Sequence, residues 1–264
     1  MSVSEILRMN DLKIGYGDRV IAGPFDIALQ KGIITALIGR NGIGKSTFLK
    51  TLTGNLSPIQ GKVLIEGTEL TRIKKADLAK KIAIVSHSES YIGGLRLHEL
   101  VGLGRTPYTG TLGIMSRNDK EKISESMERV GILSLSDKFV GELSDGERQK
   151  GMIARALAQE TPVIIMDEPF SFLDVAARIE ILLLLKGIAE NDNKAILFST
   201  HEVTQALRMT QTIWLFTNAS ANTYPQLHAG TPSELIEKGI LDSLFNSELI
   251  KFDKNTKDFI VNTK

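Results

Sequence analysis

The 264-residue chain has no cysteine. That excludes a disulfide framework, a reactive thiol and thiolate metal ligands. It also lacks an excess of charge of either sign: 32 basic and 31 acidic residues leave a net +1. Nothing in that balance points to nucleic acid or an acidic membrane surface as the main partner. There is no long hydrophobic run. The longest apolar block, Ile179–Ile188, contains Glu180 and Lys186 and is far too short to span a bilayer. The first residues, Met-Ser-Val-Ser-Glu-Ile-Leu, lack the basic and apolar zones of a signal peptide. Repeats, low-complexity tracts, long linkers and a His/Cys metal cluster are missing too. What remains is 42% hydrophobic and 24% charged, the composition of a soluble globular protein with a real core. The chain is expected in the cytoplasm, touching a membrane only through a separate partner.

Gly39-Arg40-Asn41-Gly42-Ile43-Gly44-Lys45-Ser46-Thr47 fits G-x-x-x-x-G-K-[ST]. The apolar, β-branched run Ile33–Ile38 precedes it, and Lys45–Thr53 reads as a helix with Phe48, Leu49 and Leu52 on one side. A loop between strand and helix is the context that a phosphate cradle needs. Its glycines let backbone N–H groups curl around phosphates, and the helix start adds partial positive charge. Lys45 is expected to bridge the β- and γ-phosphates, and the Ser46 hydroxyl to ligate Mg²⁺.

Val163–Met166 reads as a buried strand followed by Asp167, Glu168 and Pro169. Carboxylates at the C-terminal edge of a parallel strand face the same crevice as the phosphate loop. Asp167 is placed to hold Mg²⁺ and Glu168 to polarise an attacking water. His201 follows another apolar strand, Ala195–Ser199, and precedes a helix, Glu202–Arg208. A histidine at that edge suits a contact to a γ-phosphate. His98 and His228 have no such placement and are read as surface residues.

Between these pieces lies Leu143-Ser-Asp-Gly-Glu-Arg-Gln149. The set resembles the ATPase subunit of an ABC transporter, from near Leu12 to near Leu241. The resemblance implies an ABC ATPase fold, with ATP and Mg²⁺ as ligands. Tyr16 matches the aromatic that stacks on adenine, Gly39–Thr47 the phosphate loop, and Ser144 and Gly146 the signature. Asp167 and Glu168 match the Mg²⁺ carboxylate and the catalytic base, Ser171–Asp174 the loop that signals between protomers, and His201 the switch histidine. The resemblance implies a homodimer with ATP between two copies, the signature of one completing the site of the other. It further implies two membrane permease subunits, and through them a substrate-binding protein, at the cytoplasmic face of the inner or plasma membrane. Leu103-Gly-Arg-Thr-Pro-Tyr-Thr-Gly110, Ile132–Gln149 and Ala154–Gln159 are similar to the subfamily serving importers of iron chelates, haem and vitamin B12. Taken as turn chemistry, the first of these segments discriminates nothing.

Two positions depart from the family pattern. His87 stands nearest to where a glutamine is usual. Imidazole suits hard Mg²⁺ poorly, so His87 is expected to act through Mg²⁺-bound water or the γ-phosphate, as the weakest member of the metal set. Asp145 replaces the signature glycine. A carboxylate there either turns away or caps the helix Gly146–Gln159, and the cap is the favoured reading.

The whole reads as α/β. A P-loop NTPase core with a mixed or parallel sheet spans about 1–85 and 160–264, with an antiparallel β part (strands near Asn10–Tyr16, Asp26–Leu29 and Lys62–Glu66) and an inserted helical subdomain at about 86–159. The helices of that insert are expected at Leu97–Leu103, Asn118–Val130 and Glu147–Gln159. Residues 74–85 predict a helix and then a strand. Thr231–Ile236 predicts a capped helix with Pro232 in its first turn, and the tail 245–264 a helix and a strand at the edge. Ser86–Gly94, with Tyr91 and Ile92, is expected to receive the permease. The alternatives are an ABC-type ATPase without a transport role, and a nucleotide-binding regulator that does not turn over. The first lacks its usual coiled-coil insertion, tandem cassette and basic surface here; Glu168 and His201 argue against the second.

Overall fold

The structure is a computed structural model that describes residues 4–86, 94–110, 113–218, 223–244, 250–254 and 256–261. Strands β1 (Glu5–Tyr16) and β2 (Arg19–Gln30) pair antiparallel. β3 (Ile34–Ile38) leads into α1 (Lys45–Leu52). β4 (Gln60–Ile65) and β5 (Thr68–Glu69) complete an antiparallel sheet of order β2-β1-β4-β5. β1 and β2 are much longer than the strands that alternation marks. Register shifts between Met9 and Leu12, with Asp11 at φ 47°, break the two-residue period on which such a reading relies.

The short helix α2 (Lys75–Leu78) precedes β6 (Ile82–Ser86), as residues 74–85 predict. Helices α3 (Leu97–Gly102), α4 (Arg117–Arg129) and α5 (Asp145–Ala158) follow and pack on one another. Strand–helix alternation then resumes with β7 (Val163–Asp167), α6 (Val175–Asp192), β8 (Ala195–Thr200), α7 (Val203–Met209) and β9 (Thr212–Thr217). β10 (Gln226–Gly230) runs antiparallel to β9, and α8 (Pro232–Glu237) starts on a capping box from Thr231, with Pro232 in its first turn. In the tail, no helix appears among the described residues after Leu244. β11 (Ile250–Asp253) and β12 (Asp258–Val261) form a hairpin, with the Phe252 and Phe259 rings 5.1 Å apart, while residues 245–249, the start of the tail expected as a helix and a strand, lie outside the described residues.

The second sheet has the order β10-β9-β3-β8-β7-β6, with every pairing but β10–β9 parallel. Alternate residues feed two cores. Ile34, Ala36, Ile38, Ile164, Met166, Ile196 and Phe198 meet the helices on one side. Leu37, Ile165, Leu197, Trp214 and Phe216 meet α1 and the antiparallel sheet on the other. Phe48 of α1 is the hub of that second core, edge-on to Phe25 at 5.5 Å, Phe216 at 5.7 Å and Trp214 at 6.0 Å. The register fixes one functional edge: Ile38 lies beside Thr200, and Ser86 beside Asp167. Among the described residues, no helix is long and apolar enough to cross a membrane.

Candidate nucleotide site

The phosphate loop leaves β3 at this edge. Gly44 takes φ 115°, which a side chain rarely adopts, and so lets the chain turn straight into α1. The Lys45 ammonium is buried and donates to the carbonyls of Gly39 at 2.7 Å and Arg40 at 3.3 Å. Burial pushes this amine below the ordinary lysine range, with Glu168 and then Asp167 working against the shift. Arg40, Asn41, Gly42 and Ser46 face solvent, while Gly39 and Thr47 are buried. Ile43 gives its side chain to the core, so only its backbone is available to a ligand. Tyr16, half exposed, ends β1 two residues beyond Ile14, which lies against the loop at Gly44.

Asp167 closes β7, and Glu168 follows with φ 49°, a left-handed backbone unusual for a residue with a side chain. The Glu168 carboxylate is 3.8 Å from His201 Nδ1 and accepts from the Ser171 hydroxyl at 3.3 Å. His201 sits where β8 gives way to α7, half exposed, with its Nε2 3.8 Å from Glu202. Arg178 of α6 clasps this corner by donating to Glu202 at 2.6 Å and to the Leu173 carbonyl at 2.9 Å. Phe172, at φ 67°, stands 76% exposed beside Glu168 in the Ser171–Asp174 loop. Lys45, Asp167, Glu168 and His201 therefore gather at one sheet edge, although they lie far apart along the chain. His87, Tyr91 and Ile92 lie outside the described residues.

Two polar devices escaped the reading of the sequence. Ser199, fully buried, donates to Asp167 Oδ1 at 2.6 Å and accepts from the Glu168 amide at 2.8 Å. Its only signal was a hydroxyl in an otherwise apolar strand. Arg105, in the Leu103–Gly110 segment, is almost fully buried. It bonds Asp119 at 2.9 Å, Glu160 at 2.7 Å and the Ala158 carbonyl at 2.6 Å, with Tyr108 stacked over it at 4.1 Å. Burial opposes its charge, but bonds to Glu160 and Asp119 more than offset this and hold its pKa above the usual value. The segment is thus a packed polar joint between α4 and the end of α5, not a plain turn.

The signature helix differs from expectation in its cap. Ser144, not Asp145, is the N-cap: its hydroxyl accepts from the Glu147 amide at 3.3 Å, and Glu147 answers by accepting from the Ser144 amide at 2.9 Å. Asp145 is already inside the first turn, exposed and paired with Arg148 at 3.1 Å. Serine at this place meets both requirements of a cap, extended backbone and a short acceptor, so no role is left for Asp145 there. Gly146 faces Ala177 at the start of α6. Neither Ser144 nor Gly146 bonds the phosphate loop of its own chain among the described residues, because α5 packs on α3, α4 and β6. His228 is not a plain surface residue: it is partly buried against Thr217, and burial lowers its pKa. His98 bonds the Ser136 carbonyl at 2.9 Å.

Among the described residues, no group of three or more His, Asp or Glu side chains could hold a metal by itself. An exposed hydroxyl (Ser46) and one carboxylate (Asp167) instead suit a hard cation that brings its own water and phosphate oxygens.

Residues 23–171 match the family model described as ABC transporter. The chain is 37% identical to an uncharacterised ABC transporter ATP-binding protein of Methanocaldococcus jannaschii, over 97% of this chain and 91% of that one. It is 34% identical to the iron(3+)-hydroxamate import ATP-binding protein of Bacillus subtilis, over 95% of this chain and 92% of that one. A solved inward-facing ABC transporter, described as of metal-chelate type, superposes with a TM-score of 0.79 at 26% identity, covering 97% of this chain and 96% of that one. On these matches, and with the phosphate loop and the acidic strand end sharing one sheet edge, the chain belongs to the ABC transporter family and carries its nucleotide-binding cassette.

Proposed function

We propose that this chain hydrolyses ATP to energise import of an iron chelate, haem or cobalamin through partner membrane permease subunits. The observation that carries the ATPase reading is the meeting of Lys45, Asp167, Glu168 and His201 at one edge, with Glu168 and His201 3.8 Å apart. Relatives named for iron(3+)-hydroxamate and ferric enterobactin transport support the cargo class.

In this reading Tyr16 stacks on adenine, and the amides of Gly39–Thr47 with Lys45 hold the phosphates. Ser46 and Asp167 hold Mg²⁺, which neutralises charge on the phosphates; His87 is a weaker member of that set. Glu168 takes a proton from the attacking water, and His201 holds the γ-phosphate against its partner carboxylate. Ser144 and Gly146, turned away from their own loop, complete the site of a second copy. The core (about 1–85 and 160–264) and the helical part (about 86–159) are then two parts of one ATP-binding domain. Ser86–Gly94 receives the permease, which ties the subunit to the cytoplasmic face of the membrane and, indirectly, to a substrate-binding protein.

Replacing Glu168 by Gln is expected to lower kcat by about 10²–10⁴-fold, the range for losing a general base. The variant is also expected to accumulate as an ATP-dependent dimer on size-exclusion chromatography. A variant that stays monomeric at saturating Mg-ATP overturns the shared site.

A further inference from the structure

Ser199 is fully buried in β8, one strand away from the two carboxylates. Buried serines commonly satisfy themselves locally on a backbone carbonyl of their own segment. This one reaches across to β7. Its single proton goes to Asp167 Oδ1 at 2.6 Å, and its oxygen accepts the Glu168 amide at 2.8 Å. One hydroxyl thereby fixes the rotation of the Asp167 carboxylate and the left-handed backbone of Glu168, whose φ is 49°. Asp167 Oδ2 has no hydrogen-bond partner among the described residues and is the oxygen left for a ligand. Two residues further along the same strand end stands His201, 3.8 Å from Glu168. We infer that Ser199 is a positioning residue for ATP hydrolysis, aiming the free oxygen of Asp167 at the metal and the Glu168 side chain at the water, an inference that rests on the ATPase reading above.

The test uses the full chain and three variants: Ser199→Ala, Ser199→Thr and Ser199→Val. Threonine and valine have the same shape and differ in the hydroxyl, so fit and chemistry separate; alanine removes one atom and is the variant safest to fold. The readouts are kcat and KM for ATP, the affinity of the ATP complex for Mn²⁺ by electron paramagnetic resonance, and Tm. Ser199→Ala is expected to lower kcat and weaken Mn²⁺ binding by roughly tenfold or more, as losing the partner of a metal ligand does, while KM moves little. Thr restores both quantities and Val does not. If Ser199→Ala lowers Tm but leaves kcat and Mn²⁺ affinity within about twofold, well below that range, Ser199 is a structural pin and the inference fails. Asp167→Asn and Glu168→Gln run in parallel. If they keep full turnover, the ATPase reading falls, and with it this inference. If they abolish turnover while Ser199→Ala does not change it, only the role of Ser199 is lost.

Discussion

Leu103–Gly110 and the phosphate loop Gly39–Thr47 look alike as sequence: each is a glycine-bearing turn with a cation beside a helix. The structure uses them in opposite ways. At Gly104 the issue is space, since a side chain would come within 2.2 Å of the Arg155 carbonyl. At Gly44 the issue is backbone angle, with φ 115°. Arg105 is fully engaged by two carboxylates, a carbonyl and an aromatic face. Lys45 is buried too, yet among the described residues its bonds are only to two carbonyls of its own loop. A cation surrounded by fixed anions is a joint. One held by loop carbonyls, with Asp167 and Glu168 acting on it only through space, is free to exchange partners when phosphate arrives.

This contrast is open to direct attack. The largest effect is expected at the joint. Arg105→Ala leaves the buried Asp119 without its cation, and breaking such a pair costs about 3–5 kcal/mol, which for a chain of this size lowers Tm on the order of 10 °C. ATP affinity per folded molecule is expected to survive, which calorimetry beside a nucleotide titration measures. Lys45→Ala should do the reverse. Losing a charge-assisted phosphate contact worth about 2–3 kcal/mol weakens ATP binding roughly 100-fold, with Tm unchanged or raised because a desolvated ammonium is gone. If both variants lose stability and binding alike, the two turns are not distinct in kind.

The smallest effect sharpens the same division at the start of α5. The Ser144 amide and then the Ser144 hydroxyl hold the Glu147 carboxyl below its ordinary range. Its contribution is therefore complete above the unfolded carboxyl range and is lost as pH falls through the lower folded value. Glu147→Ala is expected to be less stable than the parent at neutral pH by roughly a few tenths of a kcal/mol, as for exposed carboxylates, with the gap closing in acid. Denaturant melts at neutral and acid pH check this. A gap that persists in acid would mean that the packing of the side chain, not its charge, supports the cap.

Much of the fold was legible because its signals are local. The phosphate loop, the apolar strands at 163 and 195, the helices α3–α5 and the Thr231 cap each announce themselves within a dozen residues. The long β1–β2 pair is only partly legible because bulges interrupt its alternation. The cap of α5 is ambiguous in sequence, since Asp and Ser are both good caps and only backbone geometry separates Ser144 from Asp145. Arg105 and Ser199 are illegible in kind: their meaning lies in hydrogen-bond partners 14 to 55 residues away for Arg105 and 31 to 32 for Ser199.

By itself, the sequence determined the chemistry available to this chain: a phosphate cradle, an acidic strand end, a histidine after a strand and a helix that opens on small polar residues, each encoded by contiguous residues. Only the tertiary structure decided that β3, β8, β7 and β6 lie side by side in parallel, so that Ile38 ends level with Thr200 and Ser86 with Asp167. Strand order is set by which apolar faces bury each other across the whole domain. No local stretch carries that information, and yet it is what brings the lysine, the carboxylates and the histidine together at one edge.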